Sequence, residues 1–261
     1  MSNFSSLLSV VTGGSSGIGQ ACASALHARG DRVVIVDLSA RPKDATLASL
    51  PFYACDVADE NAVRALQEKI EREHGPVDVL VNSAGIIQPK LAPEAMGMAL
   101  WDKVIAVDLR GTYLCCVAFG QHMARRGRGS IVNIASVAGS RSMPLHGYAP
   151  AKAAVISTTR SLAAEWGRSG VRVNSVSPGY TLTPALQDAI DRRDRDPREL
   201  TEPTAMGRMV QPREIGAAVA FLASDAASAI TGIDLPVDAG WLAGISWQTY
   251  GGLPASRVKA S

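Results

Sequence analysis

The order of its hydrophobic segments restricts what this chain can fold into more than any other feature. Short, mainly apolar runs at 7–11, 33–36, 52–55, 77–81, 131–134, 171–176 and 233–237 read as strands. Between them lie helical patterns: one after a glycine-rich turn to about Ala28, then 61–73, a long one ending at Met123, then 155–166 and 215–222. In 61–73 the apolar residues Val63, Leu66 and Ile70 recur three and four apart while charges fill the other face. Strands alternating with helices in this way call for right-handed βαβ units and a parallel sheet covered on both faces. The runs are continuously apolar, as strands buried on both sides should be.

At 261 residues, with no linker, repeat or low-complexity tract, the chain is read as one domain over 1–261. The stretch 180–211 is polar and follows a strand's carboxyl end, where ligands bind in such sheets, so it is a candidate lid. Lys+Arg 26 against Asp+Glu 24 leaves a net charge of +2, too balanced to call for a nucleic-acid partner. The Arg125, Arg126, Arg128 cluster and the Arg192 to Arg198 run are read as solvated faces. Cys22, Cys55, Cys115 and Cys116 lack the spacing of a metal site or disulfide framework. They are expected to be small buried hydrophobes, with the two neighbours on different faces of one helix. Residues 1–9 lack a signal-peptide pattern, and no apolar run reaches the ~18 residues of a spanning helix. No membrane association and a cytoplasmic location are expected, with no metal.

The first strand runs into Thr12-Gly13-Gly14-Ser15-Ser16-Gly17-Ile18-Gly19, with glycines spaced G-x-x-x-G-x-G. Glycine permits positive φ and close approach to a pyrophosphate, and the next helix offers free N–H groups and the positive end of its dipole. Gly13, Ser15, Ser16, Gly17, Ile18 and Gly19 are therefore candidate cofactor contacts. Asp37 ends the second strand 18 residues after Gly19, where a carboxylate can accept both ribose hydroxyls of an adenosine. It would repel a 2′-phosphate, and no Arg or Lys occurs within 12–19, which favours NAD over NADP. Arg41, four residues on, is the basic side chain that could weaken this preference.

Further motifs stand in series: Asp56-Val57, Asn82-Ser83-Ala84-Gly85, Ser136, Tyr148-Ala-Pro-Ala-Lys152, Pro178-Gly179 and Val237-Asp-Ala-Gly240. With the glycine turn they resemble the classical short-chain dehydrogenase/reductase family, over roughly residues 9–244. The resemblance implies an α/β fold: a single Rossmann-type, doubly wound parallel sheet with helices on both faces. It implies adenine contacts from Asp56 and Val57, and further cofactor contacts from Asn82, Ala84, Gly85, Pro178, Gly179, Thr181 and Thr183. It also implies that Ser136 holds the substrate oxygen, that Tyr148 exchanges the hydroxyl proton, and that Lys152 stabilises the phenolate and binds the nicotinamide ribose. The residue types suit this chemistry. A free tyrosine, with a pKa near ~10, is a poor base at neutral pH, and a lysine four residues along the same helical face supplies the charge it needs. Pro150, inside the motif, is tolerable if the helix starts near His146 or Gly147.

One position departs. The family's fourth catalytic residue is an asparagine in the long central helix; here the segment reads Val107-Asp108-Leu109-Arg110-Gly111. Asp108 keeps the shape, adds a charge and loses two donors, which puts the proton relay in question more than the fold. Specificity is expected from 86–93, 137–147 and the lid. The segment 178–183 and the ending near 234–241 look most like members that oxidise polyols and sugar alcohols. Alternatives are a 3-oxoacyl or hydroxysteroid-type reductase and a non-catalytic NAD-binding protein. The tail, 245–261, carries Trp247 and Tyr250 and suits a subunit contact, and the family resemblance implies a homotetramer.

Overall fold

The computed structural model describes residues 6–38, 41–255 and 257; residues 1–5 of the amino-terminal reading and 256 and 258–261 of the tail lie outside them. Among the described residues seven strands form one sheet: β1 (Leu8–Thr12), β2 (Arg32–Asp37), β3 (Phe52–Ala54), β4 (Val79–Asn82), β5 (Gly129–Ile134), β6 (Val171–Pro178) and β7 (Asp234–Val237). Their order is β3-β2-β1-β4-β5-β6-β7, parallel throughout, which is the Rossmann arrangement expected. The helices are α1 (Gly17–Ala28), α2 (Ala45–Ala48), α3 (Glu60–His74), α4 (Met98–Val104), α5 (Thr112–Arg126), α6 (Tyr148–Trp166), α7 (Pro184–Asp191), α8 (Pro197–Thr201), α9 (Pro212–Leu222) and α10 (Trp241–Gly244).

Two cores sandwich the sheet. Val10 and Ile131 face one, with α3, α5 and the end of α6; Val11 and Val132 face the other, with α1 and α9. Adjacent strand residues thus point to opposite cores, which is why the runs show no polar alternation. The edge strands β3 and β7 are only half-buried, a departure from the uniform burial expected. All four cysteines are buried free thiols, and the neighbours Cys115 and Cys116 share one core. Burial pushes the Cys22 and Cys116 thiols up to about 12, which leaves them unreactive.

Chain termination follows local chemistry. Asp59 accepts from the Asn61 and Ala62 N–H groups at the start of α3, and Gly127 ends α5 in the left-handed region with φ 79°. The helix Met98–Arg126 is continuous over 29 residues and, by length and composition, long and apolar enough to cross a membrane. Its apolar side, with Cys115, Cys116, Phe119 and Met123, is packed on the sheet, as in a core helix. Between α4 and α5 its turns widen into a π-helix over Ile105–Gly111, which no periodicity in the sequence announces. The strand order reverses between β1 and β4, so their carboxyl ends open a crevice at the point where open α/β sheets bind ligands.

Candidate active site

The glycine turn lies at that crevice. Gly13 has φ +64°, and a Cβ there would stand 2.7 Å from the backbone of Ala84, so the turn can sit against the end of β4 only as glycine. A Cβ on Gly19 would run into the Gly13 carbonyl oxygen. Ser16 begins α1 with no side-chain cap, which leaves the first N–H groups of the helix facing the crevice. Ser15 Oγ is buried without a partner. An orphaned hydroxyl and an uncapped helix start in a turn without side-chain bulk fit a dinucleotide pyrophosphate.

Asp37 sits at the end of β2 beside this turn, and its Oδ2 accepts from Ser15 N–H at 3.1 Å. Arg41 turns elsewhere: its guanidinium donates to Ala48 O and Leu50 O, both at 3.2 Å, and stacks 5.3 Å from the Phe52 ring centroid. Asp56 makes a local turn by accepting from Ala58 N–H, and Val57 is buried against Gly111 of the π-helix. Asn82 points inward, with its Nδ2 donating to Asn133 Oδ1 at 2.8 Å. Its side chain ties strands together, so the backbone of residues 83–85 carries this motif to the crevice. Thr12, which the motif reading passed over, holds that backbone: its Oγ1 accepts from Ser83 and Ala84 N–H, each at 3.2 Å.

The reactive residues come from three elements. Ser136 follows β5 and is nearly buried; its Oγ accepts from Ala138 N–H at 3.1 Å, which leaves its own O–H to donate. Tyr148 and Lys152 occupy the first turns of α6, and Pro150 falls in its first turn, as its missing N–H requires. The Lys152 Nζ stands 5.4 Å from the Tyr148 ring centroid. It donates to Ile134 O at 3.0 Å and lies 3.2 Å from Asp108 Oδ2. Gly139 packs so closely on the Lys152 backbone that a Cβ there would approach within 2.9 Å, fixing the loop after Ser136 to α6.

Asp108 lies in the π-helix, fully buried, with its other oxygen accepting from Ile86 N–H at 2.9 Å. Burial pushes its carboxyl above the usual range, while the Lys152 ammonium and the Ile86 N–H pull it back. For Lys152, burial acts downward, but the Asp108 charge and Tyr148 outweigh it and hold the ammonium above its ordinary value. The 3.2 Å contact favours the charged form of each partner, against the burial that disfavours it.

Pro178, the last residue of β6, is buried, and Gly179 N–H donates to Val237 O at 3.0 Å. Thr181 bonds back to Gly179 O, and Thr183 caps α7. Thr183 also reaches the glycine turn, 3.5 Å from where a Gly17 Cβ would stand. The candidate lid contains α7 and α8 and returns at Val210, which pairs with Thr181. Tyr180 stacks edge-on with Trp241 at 6.0 Å, under the Arg195 guanidinium. A depression of about 380 Å³ lies against the start of α6, lined by 138–143, Leu145, His146, Ala149, Pro150 and Ala153; Ser136, Tyr148 and Lys152 do not line it. Trp247 and Tyr250 in the tail are exposed.

A family model described as enoyl-(acyl carrier protein) reductase matches residues 13–242. The D-threitol dehydrogenase of Mycolicibacterium smegmatis is 43% identical over 90% of this chain and 92% of its own. The galactitol 2-dehydrogenase of Rhizobium johnstonii is 39% identical over 89% and 93%. A solved structure described as ribose-5-phosphate isomerase from Brucella melitensis is 49% identical, with a TM-score of 0.90 over 97% of this chain and 98% of that one. With the sheet order and the residues at the crevice, these similarities establish that the chain belongs to the classical short-chain dehydrogenase/reductase family, as an oxidoreductase acting on alcohols.

Proposed function

We propose that this enzyme transfers a hydride between NAD and a secondary alcohol or its ketone, with a polyol or sugar alcohol as substrate. The observation that carries the reading is the buried lysine beside Tyr148, clamped between Ile134 O and Asp108. A nicotinamide dinucleotide supplies the hydride acceptor. Gly13, Ser15, Ser16, Gly17, Ile18 and Gly19 hold its pyrophosphate, Asp37 its adenosine ribose, Asp56 and Val57 the adenine. Ala84, Gly85, Pro178, Gly179, Thr181 and Thr183 enclose the nicotinamide half, with Asn82 bracing the strand ends. Ser136 donates its O–H to the substrate oxygen, Tyr148 as phenolate takes the hydroxyl proton, and Lys152 stabilises that phenolate. Asp108 orients the lysine.

Asp37 beside the glycine turn and the diversion of Arg41 onto carbonyl groups support NAD over NADP. The two polyol dehydrogenases among the relatives support the substrate class. A pentose-phosphate isomerase reading, suggested by the Brucella structure, would use the glycine turn for a single phosphate but give the Asp37 carboxylate beside it no adenosine ribose to bind. The assembly is taken as a cytoplasmic homotetramer, with Trp247 and Tyr250 at a subunit contact. The test is an oxidation screen over tetritols, pentitols, hexitols, hydroxy acids and steroids with NAD and NADP, beside a nucleotide-free ribose 5-phosphate isomerisation assay. Tyr148→Phe is expected to fold, to bind NAD and to lose oxidation at least ~10²-fold. Retained turnover in that variant, or isomerisation without nucleotide, would overturn the proposal.

A further inference from the structure

We infer that Gln88 is a positioning residue for Tyr148: its buried side-chain amide, delivered by the segment after β4, caps the helix on which the tyrosine stands. The inference rests on the proposed proton-transfer role of Tyr148. A helix start leaves its first N–H groups without intrahelical partners. At α6 each one has another partner. Gly147 and Tyr148 N–H both donate to Gln88 Oε1, at 2.6 and 3.0 Å. Ala149 N–H donates to Leu145 O at 2.9 Å, Pro150 has none, and Ala151 N–H reaches Gly147 O.

The direction of the amide follows from its partners. Both groups facing α6 are donors, so the oxygen must point there, and Nε2 turns to Met96 Sδ at 3.4 Å. Gln88 is only 3% exposed, and the residue at the helix's own N-cap is a glycine with no side chain to offer. That glycine is also what admits the glutamine, since a Cβ on Gly147 would stand 2.8 Å from Met96 Cε and 3.0 Å from Gln88 Oε1.

Two residues earlier, Ile86 N–H donates to Asp108. The short segment 86–88 is thus pinned at one end to the partner of Lys152 and at the other to the backbone of Tyr148. It links the two members of the reactive pair outside α6 itself and sets the tyrosine's height above the lysine.

The test uses the full chain with Gln88→Ala, Gln88→Glu and Tyr148→Phe, and D-threitol and galactitol as the first alcohols. In Gln88→Ala, kcat is expected to fall about 10- to 100-fold while KM and the Kd for NAD stay within about twofold. Gln88→Glu keeps an acceptor at the same reach and is read by amide exchange alone, since its buried charge would itself oppose the phenolate. Amide exchange at Gly147 and Tyr148 should quicken at least ~10-fold in the alanine variant, return in the glutamate variant and stay unchanged at β1. This readout needs no substrate. Parental exchange in Gln88→Ala overturns the inference, as does kcat within twofold of parent where oxidation is measurable. So does a loss that spreads equally to NAD affinity and Tm, which marks a merely structural residue. Should Tyr148→Phe keep its turnover, the proposed function fails on its own, while exchange still reports the cap.

Discussion

Replacing Asp108 by asparagine should move the rising limb of the pH–rate profile for alcohol oxidation, where the base loses its proton, to lower pH. With Nζ of Lys152 5.4 Å from the Tyr148 ring and an effective dielectric of ~20, the ammonium favours a negative charge on the ring by about 3 kcal/mol. Asp108 Oδ2 is 3.2 Å from the same nitrogen, so the two distances together place it within about 8.6 Å of the ring centroid. At that distance its charge opposes the lysine by about 2 kcal/mol or more, equivalent to about 1.4 pH units or more. The neutral amide of Asp108→Asn would remove the opposition, and the limb should fall by about 1.4 units. The substitution has a cost. Asparagine has one acceptor where the carboxylate uses two, so if its oxygen stays on Ile86 N–H, its amide nitrogen faces Nζ, donor to donor. Breaking a buried pair in this way costs on the order of 3 kcal/mol and should lower Tm by roughly 6–12 °C. The assay is a pair of kcat profiles for alcohol oxidation from pH 6 to 11 at saturating NAD, run well below the variant's Tm. Coincident limbs, or a limb displaced upward, would refute the reasoning and show that the Asp108 charge is not felt at the tyrosine.

Asp37→Ala should erode an NAD over NADP preference of at least ~10-fold in kcat/KM, measured with both cofactors at equal alcohol concentration. Gly19→Ala forces a Cβ into the Gly13 carbonyl, and calorimetry with NAD titration should show Tm lower by several degrees and affinity at least ~10-fold weaker. The Arg208 side chain, then the Gln211 N–H, hold Glu214 down to about 2. Because this carboxylate is depressed on folding, its stabilisation is full above the unfolded value near 4.5 and is lost as pH falls toward 2. Glu214→Gln should therefore lower Tm by about 2 °C at pH 7, screened as a partly exposed pair is, and the gap should close between pH 4.5 and 2.

Much of this site is legible from residue order because its parts depend on local geometry. A strand buried on both faces is mainly apolar, so all seven strands announce themselves; even the half-buried β3 and β7 match to within one residue, whereas the run at 77–81 starts before β4 because Val77 is buried without pairing in the sheet. Gly13, Gly17 and Gly19, and Tyr148 with Lys152, are spaced by one turn or one helical repeat and carry their signal within a few residues. The π-helix at Ile105–Gly111 is not legible, since the apolar residues there suit an α-helix equally well. The inward bond of Asn82 and the capping by Gln88 escaped for another reason. The partner of the first is across the sheet at Asn133, and that of the second is 59 residues away at the start of α6. A glutamine far from any predicted helix start gives no capping signal.

The meeting of Gly13 with residues 83–84 has a consequence for how the protein can be divided. The phosphate-binding turn belongs to β1, but the surface it rests on belongs to β4, some 70 positions later, and β1 is itself hydrogen-bonded to β4 from Ser9 to Thr12. A fragment ending before β4 would carry every glycine and no floor beneath them. Assembly of the binding crevice must therefore wait for a distant strand to dock, a slow step in a parallel sheet. Coenzyme affinity is then a gauge of completed folding: split-protein, truncation or chimeric variants that separate β1 from β4 should lose it altogether rather than by degrees.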